Sequence, residues 1–523
     1  MRRSGILYHI TSLPSPYGIG SIGRHAREFV KFLVEAGQSC WQILPLCPTS
    51  YGDSPYQSFS TFAGNANLID LDDLVNEGLL SREECRAVNW GSDPLRVDYD
   101  AVSENKNKLL RKAFRRFAAN VSTDYADFCE AESAWLDDYA LFMAIKRGCG
   151  NASWDTWDDG LRLRDPDALQ RARTEYATDM ELQKFIQYQF YKQWTALKEY
   201  ANNRGIKIIG DLPIYVAADS ADVWASPELF MLDKDCKPID VAGCPPDCFT
   251  ADGQLWGNPL YDWERMERDD YSWWVRRIKQ CSRLYDITRI DHFRGFEAYY
   301  AIPYGMPNAR IGEWRKGPGL KLFRAVEKQL GKQDIIAEDL GFLTPSVREM
   351  LAESGYPGMK VLQFAFDPNG DSDYLPHNYP RNCFVYTGTH DNDTVNGWAK
   401  TAAPGDVRFA RDYLRTRHGE QLAWPMMAAA MASPADTCIL TMQDLLGLGS
   451  EARMNTPSTV GGNWAWRAPD GALTAKLASR LRRMTDVYRR IPGKYQTSDT
   501  DENAPETETE AETKAEAAES SKD

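Results

Sequence analysis

Ile287-Thr288-Arg289-Ile290-Asp291-His292-Phe293-Arg294 is a short apolar run that ends in charge. Side chains alternate along an extended chain, so Arg289 and Asp291 share one face and Thr288 and Ile290 share the other. A charged pair on an otherwise apolar strand is costly unless it meets solvent or a ligand. The run at 286–293 is one of eight of this kind; the others are 5–10, 40–46, 206–216, 334–341, 360–366, 383–391 and 437–446, most of them ending in a polar cluster.

Between several of them the spacing turns helical. Residues 24–36 place Phe29, Phe32, Leu33 and Ala36 on one face, 320–330 precede the fifth run, and Thr344-Pro345-Ser346 reads as the cap of a helix with proline in its first turn. Strand and helix alternating in this way predict an α/β fold, a parallel (β/α)8 TIM barrel. Such a barrel needs about 250 residues, and the chain has 523. The surplus is expected in two insertions, after strands two and three, within a catalytic barrel spanning 1–496. Residues 71–205, rich in Glu, Lys, Ala, Leu and Arg, read as mainly helical. Residues 217–285, with Pro, Gly, Trp and Asp, read as irregular loop containing an active-site lid, with a helix near 271–284. No separate C-terminal β domain is expected.

Composition narrows the functional classes. The chain is 43% hydrophobic and 26% charged, ordinary for a globular protein. Its longest apolar run, 422–432, contains Pro425 and falls short of the roughly 18 residues of a bilayer span. Ten acids and two lysines after residue 498 give an acidic tail, 497–523, expected to be disordered, and account for more than half of the net charge of −14. The mildly acidic body argues against nucleic acid or an anionic membrane as partner. Eleven cysteines without a CxxC pair and no export signal read as reduced thiols in a cytoplasmic protein. Cys236, Cys244 and Cys248 lack the close pairing of a zinc site, and phosphate-binding glycine motifs are absent. No metal and no organic cofactor is expected.

Barrel enzymes carry their reactive groups at the C-terminal ends of the strands. There the sequence offers Asp211 after strand three, Asp291 after strand four, Glu338 after strand five and Asp391 after strand seven, with Arg289, His292 and His390. An ion-pair belt at the rim, neutralised by Arg289 and Arg294, is one reading of these acids; ligation of a metal by His390, Asp391 and Glu338 is another. Chemistry built from carboxylates without a serine or cysteine nucleophile points to glycosyl transfer, in which one acid attacks the anomeric carbon and another protonates the leaving oxygen.

Several blocks carry a family likeness: Thr11-Ser12-Leu13-Pro14-Ser15-Pro16-Tyr17-Gly18-Ile19-Gly20, Trp41-Gln42-Ile43-Leu44-Pro45-Leu46, Tyr51-Gly52-Asp53-Ser54-Pro55-Tyr56-Gln57 and Gly210-Asp211-Leu212-Pro213-Ile214-Tyr215. Pro245-Pro246-Asp247, Gly253-Gln254-Leu255-Trp256-Gly257-Asn258-Pro259, Arg289-Ile290-Asp291-His292-Phe293-Arg294-Gly295, Ala337-Glu338-Asp339-Leu340-Gly341 and Gly388-Thr389-His390-Asp391 continue it in order. Together they resemble the 4-α-glucanotransferases (amylomaltase, or disproportionating enzyme), a branch of the α-amylase clan. The resemblance implies a cofactor-independent transferase of α-1,4-glucan segments, with Asp291 as nucleophile, Glu338 as general acid/base and Asp391 as transition-state stabiliser. It implies Ser54, Tyr56, Asp211, Asp247, Gln254, Trp256, Arg289, His292, His390 and Asn455 as substrate contacts, a lid at 243–259, and Tyr51 at a second glucan-binding surface. Ile10, Cys47 and Ser458 depart from the family pattern. An α-glucan hydrolase and a non-catalytic glucan-binding protein are the alternative readings. Glu338 must hold a proton while Asp291 is charged, with neighbouring negative charge expected to raise the Glu338 pKa.

Overall fold

All eight apolar runs become strands of one parallel sheet. The computed structural model describes residues 2–246, 251–341, 343–417 and 419–494. Its strands, in chain order, are β1 (Arg3–Leu7), β2 (Cys40–Gln42), β3 (Lys207–Leu212), β4 (Asp240–Cys244), β5 (Gln254–Pro259) and β6 (Ile287–Ile290). They continue with β7 (Ala298–Pro303), β8 (Glu313–Lys316), β9 (Ile335–Ala337), β10 (Gly358–Val361), β11 (Cys383–Tyr386) and β12 (Thr437–Thr441).

The parallel sheet runs β10-β11-β12-β1-β2-β3-β6-β9. First and last barrel strands pair directly, Arg3 opposite Thr437. The Ala337 N–H donates to Pro357 O at 3.0 Å just ahead of β10 and closes the ring. Most strand residues are buried, as expected where helices cover the outside and side chains fill the inside. Arg24–Glu35 is one such helix, burying Ala26, Phe29, Val30, Phe32 and Leu33. The helix Leu320–Leu330 forms where its spacing predicts. Pro345–Ser354 also forms, with Pro345 in its first turn, but the Thr344 hydroxyl does not cap it and instead lies 3.0 Å from Ser346 Oγ.

The strands are shorter than the apolar runs because the runs end in turns. β6 stops at Ile290, and His292 at φ 50 swings the chain out of the extended conformation.

Between β2 and β3 the chain is helical, with Tyr99–Phe117, Ser133–Gly148 and Ala177–Asn202 the longest pieces. The stretch between β3 and β6 differs from the expected irregular loop. Its β4 and β5 join β7 and β8 in an antiparallel sheet of order β5-β4-β7-β8. Gly243, Pro245, Gly253 and Gly257 mask the strand pattern there, and the partner strands lie beyond residue 285. Gly243 is required by close approach: a Cβ would stand 2.2 Å from Gln254 O on the neighbouring strand. Among the described residues, no helix is long and apolar enough to cross a membrane. The acidic tail 497–523 lies outside the described residues.

Candidate active site

The parallel register brings Asp211 of β3 directly opposite Arg289 of β6. Arg289 Nη1 donates to both Asp211 oxygens at 2.7 Å, and its Nη2 stands 2.9 Å from Asp291 Oδ1, one residue beyond the strand. Burial opposes the Arg289 charge, but Asp211 and Asp291 outweigh it and hold the guanidinium well above its ordinary pKa. The remaining Nε–H points at Met359 Sδ, 3.3 Å away.

Glu338 follows β9 by one residue and is almost fully buried. Oε2 accepts the His292 N–H at 2.8 Å and Oε1 accepts the Leu340 N–H at 2.7 Å. Among the described residues it makes no ion pair. Burial pushes its pKa up to about 7, with Asp291 adding to the rise and Arg289 and the two N–H donors opposing it. The cause therefore differs from expectation: loss of water contributes more than neighbouring negative charge. An ion-pair belt does not account for a buried acid poised near neutrality.

Asp391 sits in a more open setting, its side chain 45% exposed. Asn455 Nδ2 donates to its Oδ1 at 2.7 Å, and His390 Nε2 lies 3.4 Å from the same oxygen. Arg453 staples this corner, donating to the Asp391 backbone carbonyl at 2.7 Å and to the Asn455 carbonyl at 2.8 Å.

Tyr56 bridges the two settings. Its hydroxyl donates to Asp211 Oδ2 at 2.8 Å, and its ring stacks on His390 with centroids 5.1 Å apart. Trp464 leans on both rings, at 5.7 and 5.8 Å. Ser54 Oγ accepts the Tyr56 N–H at 3.2 Å and shapes the turn before it. Across the mouth, Trp256 meets His292 edge-on at 4.9 Å and donates its indole N–H to Gln254 Oε1 at 3.1 Å. Burial lowers the His292 pKa to about 4, so the ring is neutral near pH 7. Tyr51 shares the loop of Ser54 and Tyr56 but projects into solvent, 72% exposed.

The structure thus brings together Asp211, Arg289, Asp291, His292, Glu338, His390, Asp391 and Asn455, with Tyr56, Gln254 and Trp256 on the walls. Asp247 and Cys248 lie outside the described residues. Among the described residues, no group of three His, Cys, Asp or Glu is arranged to hold a metal ion. Sequence reasoning missed Arg453, Trp464, Met359 and His9, whose buried Nδ1 accepts the Leu44 N–H at 3.1 Å. None of the four sits in a motif that announces chemistry; each is found only by tracing which loops meet.

Two carboxylates on adjoining strands, one buried with its pKa pushed up to about 7 and one ion-paired, have the contrasting environments that a general acid and a nucleophile for glycosyl transfer require. A family model described as 4-alpha-glucanotransferase matches residues 8–474. A 4-alpha-glucanotransferase of Clostridium butyricum is 49% identical over 484 residues, covering 92% of this chain and 99% of that protein. One from Thermus thermophilus is 48% identical over 501 residues, covering 94% and 99%. The solved amylomaltase of Streptococcus agalactiae, in complex with acarbose, superposes with a TM-score of 0.92 at 44% identity, covering 94% of this chain and all of that one.

Proposed function

The chain belongs to the 4-alpha-glucanotransferase family, and we propose that its transfer of α-1,4-glucan segments runs by double displacement on Asp291 and Glu338. The enzyme cuts a donor glucan and rejoins the cut end to an acceptor, so both half-reactions must use the same acid. In the first, Asp291 attacks the anomeric carbon while Glu338 gives its proton to the glycosidic oxygen. The C1–O bond breaks, the released fragment leaves with a free 4-hydroxyl, and the donor segment remains as an ester on Asp291. In the second, an acceptor 4-hydroxyl attacks the same carbon, Glu338 takes back a proton, and the ester bond breaks. Two inversions give retention, and no water is consumed. A pKa of about 7 suits Glu338 to act as acid and then base.

Asp391 stabilises the positive charge that develops on the sugar, and Arg289 steadies Asp291. Tyr56, Ser54, Asp211, His292, His390, Asn455, Gln254, Trp256 and Asp247 hold the flanking glucose units under a lid at 243–259, and Tyr51 belongs to an outer glucan contact. The observation that carries this reading is Glu338: buried, clamped by two backbone N–H groups, and one strand away from the Arg289–Asp291 pair. Incubation with maltotriose tests it. Transfer yields glucose and a ladder of longer chains at constant total reducing ends, and Asp291→Ala abolishes this while retaining glucan binding. A rise in reducing ends points to hydrolysis instead, and turnover surviving in Asp291→Ala removes Asp291 from the mechanism.

A further inference from the structure

The Tyr56 hydroxyl and the Asp211 carboxylate meet at 2.8 Å, although Tyr56 lies on the long connection after β2 and Asp211 near the end of β3. A few residues along the chain from both, the two segments meet again on a side chain that the reaction above does not use. Arg277 sits on the helix Ser272–Leu284, which packs against β3 and β6, and is 1% exposed. Its Nε–H donates to Thr61 Oγ1 at 2.8 Å. Nη1 donates to Ile214 O at 2.9 Å and to Tyr261 Oη at 3.1 Å, and Nη2 donates to Pro213 O. Thr61 follows Tyr56 by five residues, and Pro213 and Ile214 follow Asp211 by two and three. One guanidinium therefore grips both segments whose functional groups touch in the site.

The grip is stiff. A guanidinium is planar and carries its donors in a fixed fork, so the oxygens it holds cannot shift independently. The cation also lies over the indoles of Trp273 and Trp274, 5.3 and 4.7 Å from their centroids, contacts that attract it and fix its place. The Tyr261 hydroxyl adds a second donor to Ile214 O at 2.9 Å. The Asp222 carboxylate, within electrostatic reach of Arg277, accepts the Thr61 N–H at 2.8 Å. Thr61 is thus held through its backbone by one charged group and through its side chain by the other.

The four oxygens that Arg277 donates to are all uncharged. An apolar side chain serves packing at least as well as a cation buried in this way, but it cannot set the distance between two loops. We propose that Arg277 is a positioning residue for the transfer reaction. By fixing Thr61 against Pro213 and Ile214 it sets the separation of Tyr56 from Asp211, and through Asp211 the placement of Arg289 beside Asp291.

The proposal rests on the double-displacement reading, which wild-type turnover of maltotriose and its loss in Asp291→Ala test separately. Thr61→Val removes one accepting oxygen at nearly constant shape. It is expected to lower kcat for maltotriose roughly five- to tenfold with KM within about twofold, and Thr61→Ser to keep most of the wild-type kcat. Arg277→Lys, whose single ammonium cannot span both segments, is expected to lower kcat roughly ten- to hundredfold. The decisive readout is a double-mutant cycle. Tyr56→Phe breaks the contact that Arg277 positions, so in that background Thr61→Val is expected to cost less than about twofold. An equal fall in both backgrounds overturns the proposal, as does a lowered Tm with kcat unchanged, or a serine that fails to keep the activity. The cycle on Thr61 decides the matter even if Arg277→Lys fails to fold.

Discussion

Around one barrel mouth the enzyme keeps two kinds of carboxylate environment. Where β3, β6 and β9 adjoin, Asp211 and Glu338 are shut away from water, held by hydrogen bonds from a turn, from Tyr56 and from Arg289. Beyond β11, Asp391 stands half-open, steadied by the side chain of Asn455 from a distant loop. Asp291 lies between the two, ion-paired on one side and partly open on the other. One kind of functional group can therefore stand in several environments, and an acid deprived of water keeps its proton to higher pH.

Four effects of substitution probe that contrast. Asp291→Asn keeps the shape but removes the attacking charge, and kcat for maltotriose disproportionation is expected to fall by roughly 10^4-fold or more, with maltotriose binding retained in a calorimetric titration. Glu338→Gln removes the transferable proton from the closed side, and a fall of about 10^2- to 10^4-fold is expected in the same assay. An alanine at either position that leaves kcat within tenfold of wild type would show that the two environments have no catalytic meaning.

The third effect is on stability. A glutamate carboxyl ordinarily titrates near 4.5, and that of Glu338 sits at about 7 in the folded protein, so folding favours its protonated form. Stability is therefore lost as pH rises from 4.5 towards 7, because ionising the folded site works against burial. The amide in Glu338→Gln is neutral at every pH, but its NH2 cannot accept the second of the two backbone N–H groups, a loss that does not vary with pH. In urea unfolding the stability of the variant relative to wild type is expected to rise between pH 4.5 and pH 8 by an amount on the order of 3 kcal/mol; a stability difference independent of pH would contradict the closed setting. The smallest effect belongs to the open side. Asn455→Ala removes one donor to Asp391, and kcat/KM is expected to drop roughly tenfold with little change in Tm.

The sequence carried the barrel well because each barrel strand is a compact apolar run, and the parallel sheet leaves little freedom in how such runs associate. The acids and Arg289 were legible for the same reason: charge at the end of an apolar run is costly to bury unless it meets solvent, a partner or a ligand. The antiparallel sheet was not legible, since Gly243, Gly253 and Gly257 serve close approaches and turns that erase alternation. Nor was the contrast between Glu338 and Asp391, because burial depends on which distant loops fold over a residue, and the Arg453 staple and Trp464 come from such a loop. Ser458 adopts φ 63, a left-handed conformation that serine enters less readily than glycine.

The most direct test of the division between closed and open acids is the pH dependence of kcat/KM for maltotriose from pH 4 to 9, in wild type and Glu338→Gln. The expected wild-type curve is bell-shaped, with its alkaline limb near pH 7 where Glu338 gives up its proton, and the residual activity of Glu338→Gln lacks that limb. A flat wild-type profile, or the same limb surviving in Glu338→Gln, would mean that the buried carboxyl is not the acid that drives the transfer.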